Sequence, residues 1–484
     1  MTSTESSDRT RWMALYVLCV GVLMIVLDAT IVNVALPSIQ ADLGFSQSNL
    51  AWVVNAYLIA FGGLLLLVGR VGDLVGRRRV FLAGLVVFTL ASLLCGAAQS
   101  QEMLVAARFI QGIAGAMTSA VILGMIVTMF TEPRDQAKAI GVYGFVASSG
   151  GSVGLLAGGV LTQSINWHWI FFINIPIGIA TAVFALRLLP KDKGIGFGSG
   201  ADVPGAALIT AALMLLVYTI VVPAAEDGWG AGRTLALGAG ALALLAAFIV
   251  REATAANPLV PLRIFRSRNI SGANIVQGLA VVGMFGMFFL GALYLQHVLG
   301  YDALQTGLAF LPATVVMAAW SLGYSEKLIT RFGARTTLLP GLVLIGGALV
   351  LFAQAPVDGV YAADVLPVMV LLGTGAGIAF PALMTLAMSD ATPADAGLAS
   401  GLVNTTVQVS GAIGLAVLAT LSATRSEHLV AGGDAPAVAL TNGFHLAFLI
   451  GAALIGVAIV VALTVLRQPR PERAPAAKPA YSEA

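Results

Sequence analysis

Charged residues are scarce in this sequence. Asp, Glu, Lys and Arg make up only 10% of the 484 residues, whereas 58% are hydrophobic and the mean hydropathy is +0.94. Because soluble domains carry about 25% charged residues, this composition excludes a soluble protein and indicates that lipid is the main solvent. The net charge is only +2, and no Lys/Arg cluster lies outside short connections. Nucleic acid is therefore excluded as a partner.

Other signals are also missing. The two cysteines, Cys19 and Cys95, lie in apolar stretches, so no disulfide framework is expected. The polar start Met1–Arg11 leads into a full-length apolar stretch, so the first span is expected to remain as an anchor rather than to be cleaved. The phosphate-binding loop of an ATP-driven pump is absent. With no room for a soluble catalytic domain, we expect no enzyme activity, no cofactor and no metal site.

Apolar stretches long enough to cross a bilayer recur along the chain. A bilayer core of about 30 Å needs about 20 apolar residues per helix. We therefore predict an all-α integral membrane protein with fourteen transmembrane helices. The predicted spans lie near 13–36, 50–68, 80–98, 103–129, 139–162, 168–189, 204–222, 234–250, 270–296, 306–328, 337–353, 365–387, 396–421 and 444–466.

The basic residues indicate the orientation of these spans. If the amino terminus is cytoplasmic, Arg233 and Arg425 fall in outer loops and Arg108 falls within a span, while all other Lys and Arg residues fall in cytoplasmic segments. The positive-inside rule then predicts a multi-pass protein of the cell membrane with both termini in the cytoplasm. An even number of spans agrees with this orientation.

An internal repeat divides the chain. The segment GRVGDLVGRR at 69–78 resembles EKLITRFGAR at 326–335, and Gly154 aligns with Gly414 at nearly the same spacing. The spacing covers eight spans, so the two halves have the same orientation and form a parallel repeat. The predicted units are a cytoplasmic N-terminal tail at 1–12, a six-helix bundle at 13–189, two inserted helices with a cytoplasmic linker at 190–269, a second six-helix bundle at 270–466 and a disordered cytoplasmic tail at 467–484.

This architecture predicts transport of solutes. Two half-bundles around a midplane cavity can rock against each other and expose the cavity to each side in turn. A channel would need a ring of charged side chains or a filter lined by carbonyl groups, and the sequence contains no segment of that kind.

Four sequence motifs, together with the glycine-rich end of the fifth predicted span, are specific enough to indicate a family. The motifs are LDATIVNVALP at 27–37, GRVGDLVGRRR at 69–79, RFIQGIAGA at 108–116 and WHWIFFINIPIG at 167–178. With them the chain resembles the major facilitator superfamily, and within it the fourteen-span drug:proton antiporters, from Trp12 to Leu466. The resemblance implies export of small amphipathic drugs or antibiotics in exchange for protons. It also implies that a single chain is functional.

The fifth predicted span departs from the pattern of these antiporters. The family has Gly-Pro followed by two glycines, whereas this chain has GLLAGG at 154–159. Without the proline, a bend in this helix is in doubt. Gly150, Gly154 and Gly158 still lie on one helix face at i, i+4 and i+8, which predicts close packing against another helix.

Asp28 is the one acidic residue deep in a span, where a carboxylate costs about 2.5–3.5 kcal/mol. Counted at about 1.5 Å per residue, Asp28 and Arg108 lie at similar depths. If both face the cavity, Asp28 can alternate between a protonated form and a carboxylate paired with Arg108. The resemblance implies proton coupling for both. The alternatives are that Asp28 only fixes helix packing and that Arg108 extends to the interface.

The resemblance also implies a conformational latch in a short cytoplasmic connection. Its residues are Gly69, Arg70, Gly72, Asp73, Gly76 and Arg77, and its salt bridges would form in one state of the rocking cycle. As a loop, this segment would not reach a deep substrate. The alternative is that the arginines only set the topology, which is the better interpretation for Arg78 and Arg79.

Polar, aromatic and methionine side chains in the spans suit a pocket for apolar substrates, because aromatic rings bind flat groups and cations while methionines adapt to varied shapes. The candidates for substrate binding are Asn33, Trp52, Asn55, Tyr57, Gln111, Tyr143, Gln277, Met284, Phe285, Met287 and Phe288. Packing within the bundle or contact with lipid is the alternative for each. Gln111 lies one turn from Arg108, where it could share the network of that residue or make a plain hydrogen bond between helices.

Fold alone does not separate export from uptake. The alternative function is a proton symporter or uniporter for a small nutrient. With Asp28 as the only deep acid, we expect monovalent lipophilic cations or neutral amphipaths to be exported in preference to dications, because each unpaired buried charge costs several kcal/mol.

Overall fold

The computed structural model describes residues 2–192, 194, 196, 202–390 and 396–468. These residues form helices and no strand. The helices are α1 (Thr2–Leu43), α2 (Trp52–Val75), α3 (Arg77–Gly96), α4 (Gln101–Met129), α5 (Pro133–Ser164), α6 (Trp169–Phe172), α7 (Asn174–Leu188), α8 (Val203–Val221), α9 (Pro223–Glu226), α10 (Gly232–Thr254), α11 (Arg268–Leu293), α12 (Ala303–Gly323), α13 (Ser325–Phe332), α14 (Ala334–Phe352), α15 (Leu366–Met388), α16 (Ala396–Ala431) and α17 (Pro436–Thr464).

The number of long helices agrees with the predicted fold class. Thirteen spans in the described part of the chain are long and apolar enough to cross a membrane. Helix α5 has 32 residues and is also of spanning length, which makes fourteen. The protein is therefore an all-α multi-pass membrane protein.

Several helix boundaries differ from the predicted ones. Helix α1 begins at Thr2, so the predicted tail at 2–12 is helical and continuous with the first span. The predicted span 168–189 is divided into α6 and α7, and the predicted span 306–328 ends at Gly323, after which α13 follows. A span predicted from hydropathy ends where polar residues begin. A helix can continue into polar sequence, because its hydrogen bonds are made by the backbone. The predicted disordered tail lies, from residue 469 onwards, outside the described residues.

The packing of the helices follows the internal repeat. In the first half, α1 packs on α5, α3 on α4 and α2 on α4; in the second half, α11 packs on α16, α14 on α15 and α12 on α15. Each pair in the first half thus has a counterpart in the second half. Two bundles built in the same way and facing each other leave a cavity between them.

The inserted helices lie across the boundary between the halves. Helix α8 packs on α2 from the first half and on α16 from the second, while α10 packs mainly on α8. A methyl group added to Gly63 of α2 would lie 2.7 Å from the Oγ1 atom of Thr210 on α8. On the other side, the Thr420 hydroxyl of α16 donates a hydrogen bond of 3.3 Å to the Ile220 carbonyl oxygen. Helix α8 therefore contacts both halves at once.

We call the side of the bundle where α1 begins and α17 ends the terminal side, and the opposite side the distal side. The halves touch toward the distal side, where Gln296 Nε2 donates to the Val34 carbonyl oxygen at 2.9 Å. Helices α5 and α12 pack backbone to backbone, because a methyl group on Gly307 would lie 2.5 Å from the Leu155 carbonyl oxygen. The cavity is therefore closed toward the distal side in this conformation.

Candidate functional site

Asp28 on α1 and Arg108 on α4 form a buried ion pair. The Nη1 atom of Arg108 lies 2.5 Å from the Oδ2 atom of Asp28, and the side chains are 1% and 0% exposed, respectively. Removing an isolated charge from water costs several kcal/mol, and a partner at hydrogen-bond distance offsets much of that cost. The pair is thus neutral as a unit, and each residue depends on the other for its burial.

Two amides complete the surroundings of the Asp28 carboxylate. Its Oδ1 atom accepts hydrogen bonds from Gln111 Nε2 at 2.7 Å and from Asn174 Nδ2 at 3.0 Å. Gln111 also donates to the Ser92 hydroxyl at 2.9 Å. We call these five residues, Asp28, Ser92, Arg108, Gln111 and Asn174, the Asp28 network. It joins helices α1, α3, α4 and α7, so a change at Asp28 acts on four helices of the first half.

Arg108 is held by groups on three sides. Its Nε atom donates to the Val53 carbonyl oxygen at 2.9 Å, and its Nη1 atom also donates to Gln111 Oε1 at 2.7 Å. The guanidinium carbon lies 4.5 Å from the centre of the Tyr57 ring and 5.8 Å from that of Phe171, which are distances of cation–π contacts. Arg108 therefore does not extend to the membrane interface, and that alternative is wrong.

A cavity of about 380 Å³ lies between the two halves. Of the predicted substrate residues, it is lined by Asn33, Tyr57, Gln277, Met284, Phe285 and Phe288. Most of its surface is apolar. Arg108 is the only formally charged residue among the described residues that line it, whereas Asp28 lies fully buried behind the wall.

This arrangement differs from the predicted one, in which Asp28 and Arg108 both face the cavity. Arg108 and Tyr57 are among the residues that line the cavity, although each is only 1% exposed, whereas Asp28 is not among them. Arg108 is therefore the residue that connects the cavity to the carboxylate of Asp28. Helix α1 makes a second connection, because Ala29, Thr30 and Asn33 line the cavity on the same helix that carries Asp28.

Five predicted substrate residues lie elsewhere. Gln111 belongs to the Asp28 network, and Tyr143 lines a different cavity toward the terminal side. Asn55 and Met287 are fully buried, and Trp52 packs against the core of the bundle. The composition of a span does not reveal how far its helix is rotated about its own axis, and a rotation by one residue moves a side chain by about 100°.

The cavity also contains polar residues that the sequence analysis missed. Thr30 of α1, Thr314 of α12 and Gln408 of α16 line it. Thr314 also accepts a hydrogen bond of 2.6 Å from the Ser152 hydroxyl of α5, which joins the two halves. A threonine or glutamine in an apolar span is a weak signal by itself, so these residues could be found only once the helix contacts were known.

The predicted latch is mostly helical. Helix α2 continues through Gly69, Gly72 and Asp73 to Val75, and only Gly76, with φ of +106°, interrupts the chain before α3. Glycine is suited to this break because side chains disfavour positive φ. The prediction of a loop over this whole segment is thus wrong, since single glycines at Gly69 and Gly72 do not break a helix that is packed on α4.

The described ion pair of the latch lies within the first half. Arg77 Nε is 3.0 Å and Nη2 is 2.9 Å from Asp73 Oδ1, and Nη1 donates to the Gly124 carbonyl oxygen of α4 at 2.8 Å. Arg70 lines a neighbouring cavity together with Asp73. Asp192, which the sequence analysis did not single out, accepts hydrogen bonds from the backbone N–H groups of Arg77 and Arg78. Its carboxylate therefore caps the start of α3.

The small-residue face of α5 lies against α1. A methyl group on Gly150 would lie 3.0 Å from Val26 Cγ1, and one on Gly158 would lie 2.7 Å from the Ile31 carbonyl oxygen. At Gly154 it would overlap the Thr30 hydroxyl. Helix α5 is continuous through this region, so these glycines set the distance between α5 and the helix that carries Asp28.

Gly154→Ala is expected to destabilise the protein by about 1–3 kcal/mol, the usual cost of overpacking. Gly151→Ala is the matched control, because a methyl group there would meet only Thr30 Cγ2 at 3.9 Å. Thermal unfolding of both purified variants in the same detergent tests the prediction. Equal melting temperatures would mean that α5 and α1 are not packed as closely as described.

Comparisons with known proteins agree with this fold. The sequence profile of the Major Facilitator Superfamily matches residues 18–415. The chain is 38% identical to the puromycin resistance protein pur8 of Streptomyces alboniger, over 93% of this chain and 91% of that protein. It is 40% identical to the cephamycin export protein CmcT of Amycolatopsis lactamdurans, over 87% of each chain. The protein therefore belongs to the Major Facilitator Superfamily, as the motifs indicated.

Solved structures show the same fold at low sequence identity. A bacterial homologue of the human lysosomal transporter Spinster, in an inward-facing and unoccupied conformation, matches with a TM-score of 0.67 and 16% identity, over 95% of this chain and 99% of that chain. The nucleoside transporter NupG matches with a TM-score of 0.65 and 14% identity, over 94% of this chain and all of that chain. At such identities the likeness concerns the fold alone.

Proposed function

We propose that the protein is a proton-coupled antiporter that exports small amphipathic drugs or antibiotics across the cytoplasmic membrane by alternating access. The observation that carries this proposal is a buried, titratable ion pair whose arginine lines an apolar cavity between two half-bundles. The relatives support the substrate class, since their names refer to puromycin resistance, cephamycin export and export of tetracenomycin C.

The orientation follows from the distribution of basic residues. Nearly all Lys and Arg residues belong to the terminal side, which is therefore the cytoplasmic side under the positive-inside rule. In the described conformation the distal, outer side is closed. The chain acts as a monomer, because the cavity and the Asp28 network are both completed within one chain.

The proton acts at Asp28. Protonation removes the negative charge of Asp28 and ends its ion pair with Arg108, which then faces the cavity without its counter-charge. Entry of a proton at Asp28 and release of the substrate from the cavity are thereby coupled, because both change the surroundings of the Arg108 guanidinium group. Because Asp28 shares α1 with Thr30 and Asn33, loosening the Asp28 network also frees a wall of the cavity to move.

The latch acts on the same cycle. Gly69, Arg70, Gly72, Asp73, Gly76 and Arg77 lie at the cytoplasmic end of α2, the helix that meets α16 across the boundary between the halves. The Asp73–Arg77 pair holds α2 and α3 to α4 in this conformation, and rocking of the halves exchanges these contacts for others.

Transport into inverted membrane vesicles tests the proposed function. With a pH gradient that is acid inside, vesicles containing the protein are expected to accumulate dyes or antibiotics from a panel, and the gradient is expected to dissipate faster when substrate is added. Accumulation that does not depend on the gradient would indicate a uniporter. Movement of protons and substrate in the same direction would indicate a symporter.

The charge of the substrate gives a separate prediction. A dication in this cavity would need about two compensating negative charges, and the described lining residues include no acid. We expect neutral amphipaths and monovalent cations to be exported faster than a dication of matched size. Competition between a monovalent dye and its divalent analogue measures this preference. Faster export of the divalent dye would mean that an acid lies on the path, and Glu326 of α13 would be the first to mutate.

A further inference from the structure

The inserted helices carry two buried acids that the proposed mechanism does not use. Asp202 precedes α8, and Glu252 lies in the last turn of α10, so both are on the terminal side of the bundle. Each is only 3% exposed. The sequence analysis did not single them out, because acids at the ends of predicted spans are common where a helix reaches water.

Each carboxyl group has one oxygen with partners and one without. Asp202 Oδ1 accepts from the Gly205 backbone N–H at 3.1 Å and from Arg251 Nε at 3.0 Å. Glu252 Oε2 accepts from the Val260 backbone N–H at 2.7 Å. The other two oxygens, Asp202 Oδ2 and Glu252 Oε1, are buried and have no hydrogen-bond partner. A buried polar atom without a partner is energetically unfavourable.

The two oxygens without partners, Asp202 Oδ2 and Glu252 Oε1, both lie beside Gly205. A methyl group added to Gly205 would lie 2.5 Å from Asp202 Oδ2 and 3.0 Å from Glu252 Oε1. A side chain at position 205 would therefore displace one or both carboxyl groups. Two carboxylates in one buried site disfavour each other's ionisation, and a single proton held between them removes both the repulsion and the missing hydrogen bond.

The charges at this site also favour one bound proton. Among the described residues, the positive group in contact with the pair is Arg251, and it contacts Asp202. If both carboxyl groups were ionised, a net negative charge would remain in a buried site, which is costly without a further partner. One proton makes the group of three neutral.

We propose that Asp202 and Glu252 form a proton-binding site that holds one proton between their carboxyl groups in this conformation. The site is separate from Asp28, which lies in the first half. Protons can reach it from a cavity of about 390 Å³ that Asp202 lines. The other titratable or charged residues that line this cavity among those described are Arg70, Asp73 and Arg77 near the end of α2 and Tyr143 of α5.

The site is placed to act on the boundary between the halves. Glu252 holds the backbone of Val260 in the linker, and Val260 and Ile264 pack with Ala399 and Leu402 of α16. Loss of the proton would leave a buried negative charge beside this linker and weaken its contact with α16. The proton on the pair therefore stabilises the packing of α8, the linker and α16 against one another.

Infrared spectra of the purified full-length protein in lipid nanodiscs, taken as differences between the wild type and each variant, test the proposal directly. No transport assay is needed. Wild-type protein is expected to show the C=O stretching band of a protonated carboxyl group, and this band is expected to disappear in Glu252→Gln. Asp202→Asn is expected to lose it as well. In both variants an amide N–H group replaces the shared proton as the donor, so the packing is retained. Glu226→Gln, an exposed acid in the same inserted pair, is the control and is expected to keep the band.

Two outcomes would overturn the proposal. A carboxyl band that persists in both Glu252→Gln and Asp202→Asn would belong to another residue. Carboxylate bands that depend on Glu252 and shift on addition of Na⁺ would show that the pair binds a metal cation instead of a proton. Neither infrared readout involves substrate. A negative infrared result therefore does not contradict the proposed antiport, and a negative transport result does not contradict the proposed Asp202–Glu252 site.

Discussion

Asp28→Asn is expected to reduce gradient-driven export to the level of vesicles without the protein, while the variant still inserts and folds. The asparagine keeps the shape of the side chain and an oxygen that can accept from Arg108, but it cannot be ionised or take up a transported proton. Binding of an uncharged substrate is expected to remain, because Asp28 does not line the cavity. Export and equilibrium binding of the same dye, measured side by side, separate these two effects.

The control for this experiment is Glu102→Gln, which removes an exposed acid at the start of α4, the helix that carries Arg108. It is expected to transport like the wild type. Full gradient-driven export by Asp28→Asn would show that the proton is carried elsewhere. Loss of both binding and export would instead mean that the Asp28 network is needed to build the cavity.

Arg108→Ala is expected to abolish export and also to destabilise the fold by about 3–5 kcal/mol, because the buried Asp28 carboxylate loses its counter-charge. The hydrogen bond to Val53 and the contacts with Tyr57 and Phe171 are lost at the same time. Arg108→Lys is expected to be inactive as well, since an ammonium group cannot bridge Asp28, Gln111 and Val53 as the planar guanidinium does.

A double-mutant cycle separates the ion pair from the other contacts of Arg108. If the two residues compensate each other's charge, Asp28→Asn combined with Arg108→Ala will be less destabilised than the sum of the single variants. Thermal unfolding in one detergent provides the four stabilities. Additive losses would mean that the two side chains do not interact as an ion pair, despite their separation of 2.5 Å.

The position of Arg108 supports the proposed coupling to protons of a cavity whose described lining includes no acid. The guanidinium contacts the Asp28 carboxylate, and Arg108 is also among the residues that line the cavity. The substrate therefore does not compete with the proton for the same atom. In the proposed mechanism the ionised Asp28 pairs with Arg108, and protonation of Asp28 leaves the guanidinium charge without its partner beside the cavity, which favours release of a cationic substrate.

Much of the fold could be predicted from the sequence because the signals are local. Hydropathy along the chain indicated fourteen spans, and the motifs indicated the family, as the profile match over residues 18–415 confirms. Asp28 and Arg108 were identifiable because an intramembrane charge is costly and therefore rare. Asn174 was not, although it lies in one of the motifs, because an amide in a span is equally consistent with ordinary helix packing.

The sequence by itself determined that the chain crosses the membrane, where its helices lie, and which acid and which arginine lie deepest in the spans. These properties follow from the cost of transferring each segment into lipid, which depends on the residues of that segment alone. The tertiary structure alone decided that Arg108 faces the cavity while Asp28 lies behind it. It also decided that Asp192 caps α3 and that Asp202 and Glu252 both lie beside Gly205. Such contacts depend on how each helix is rotated about its axis and on which helices are neighbours. Both properties are determined by packing between residues that are far apart in the chain.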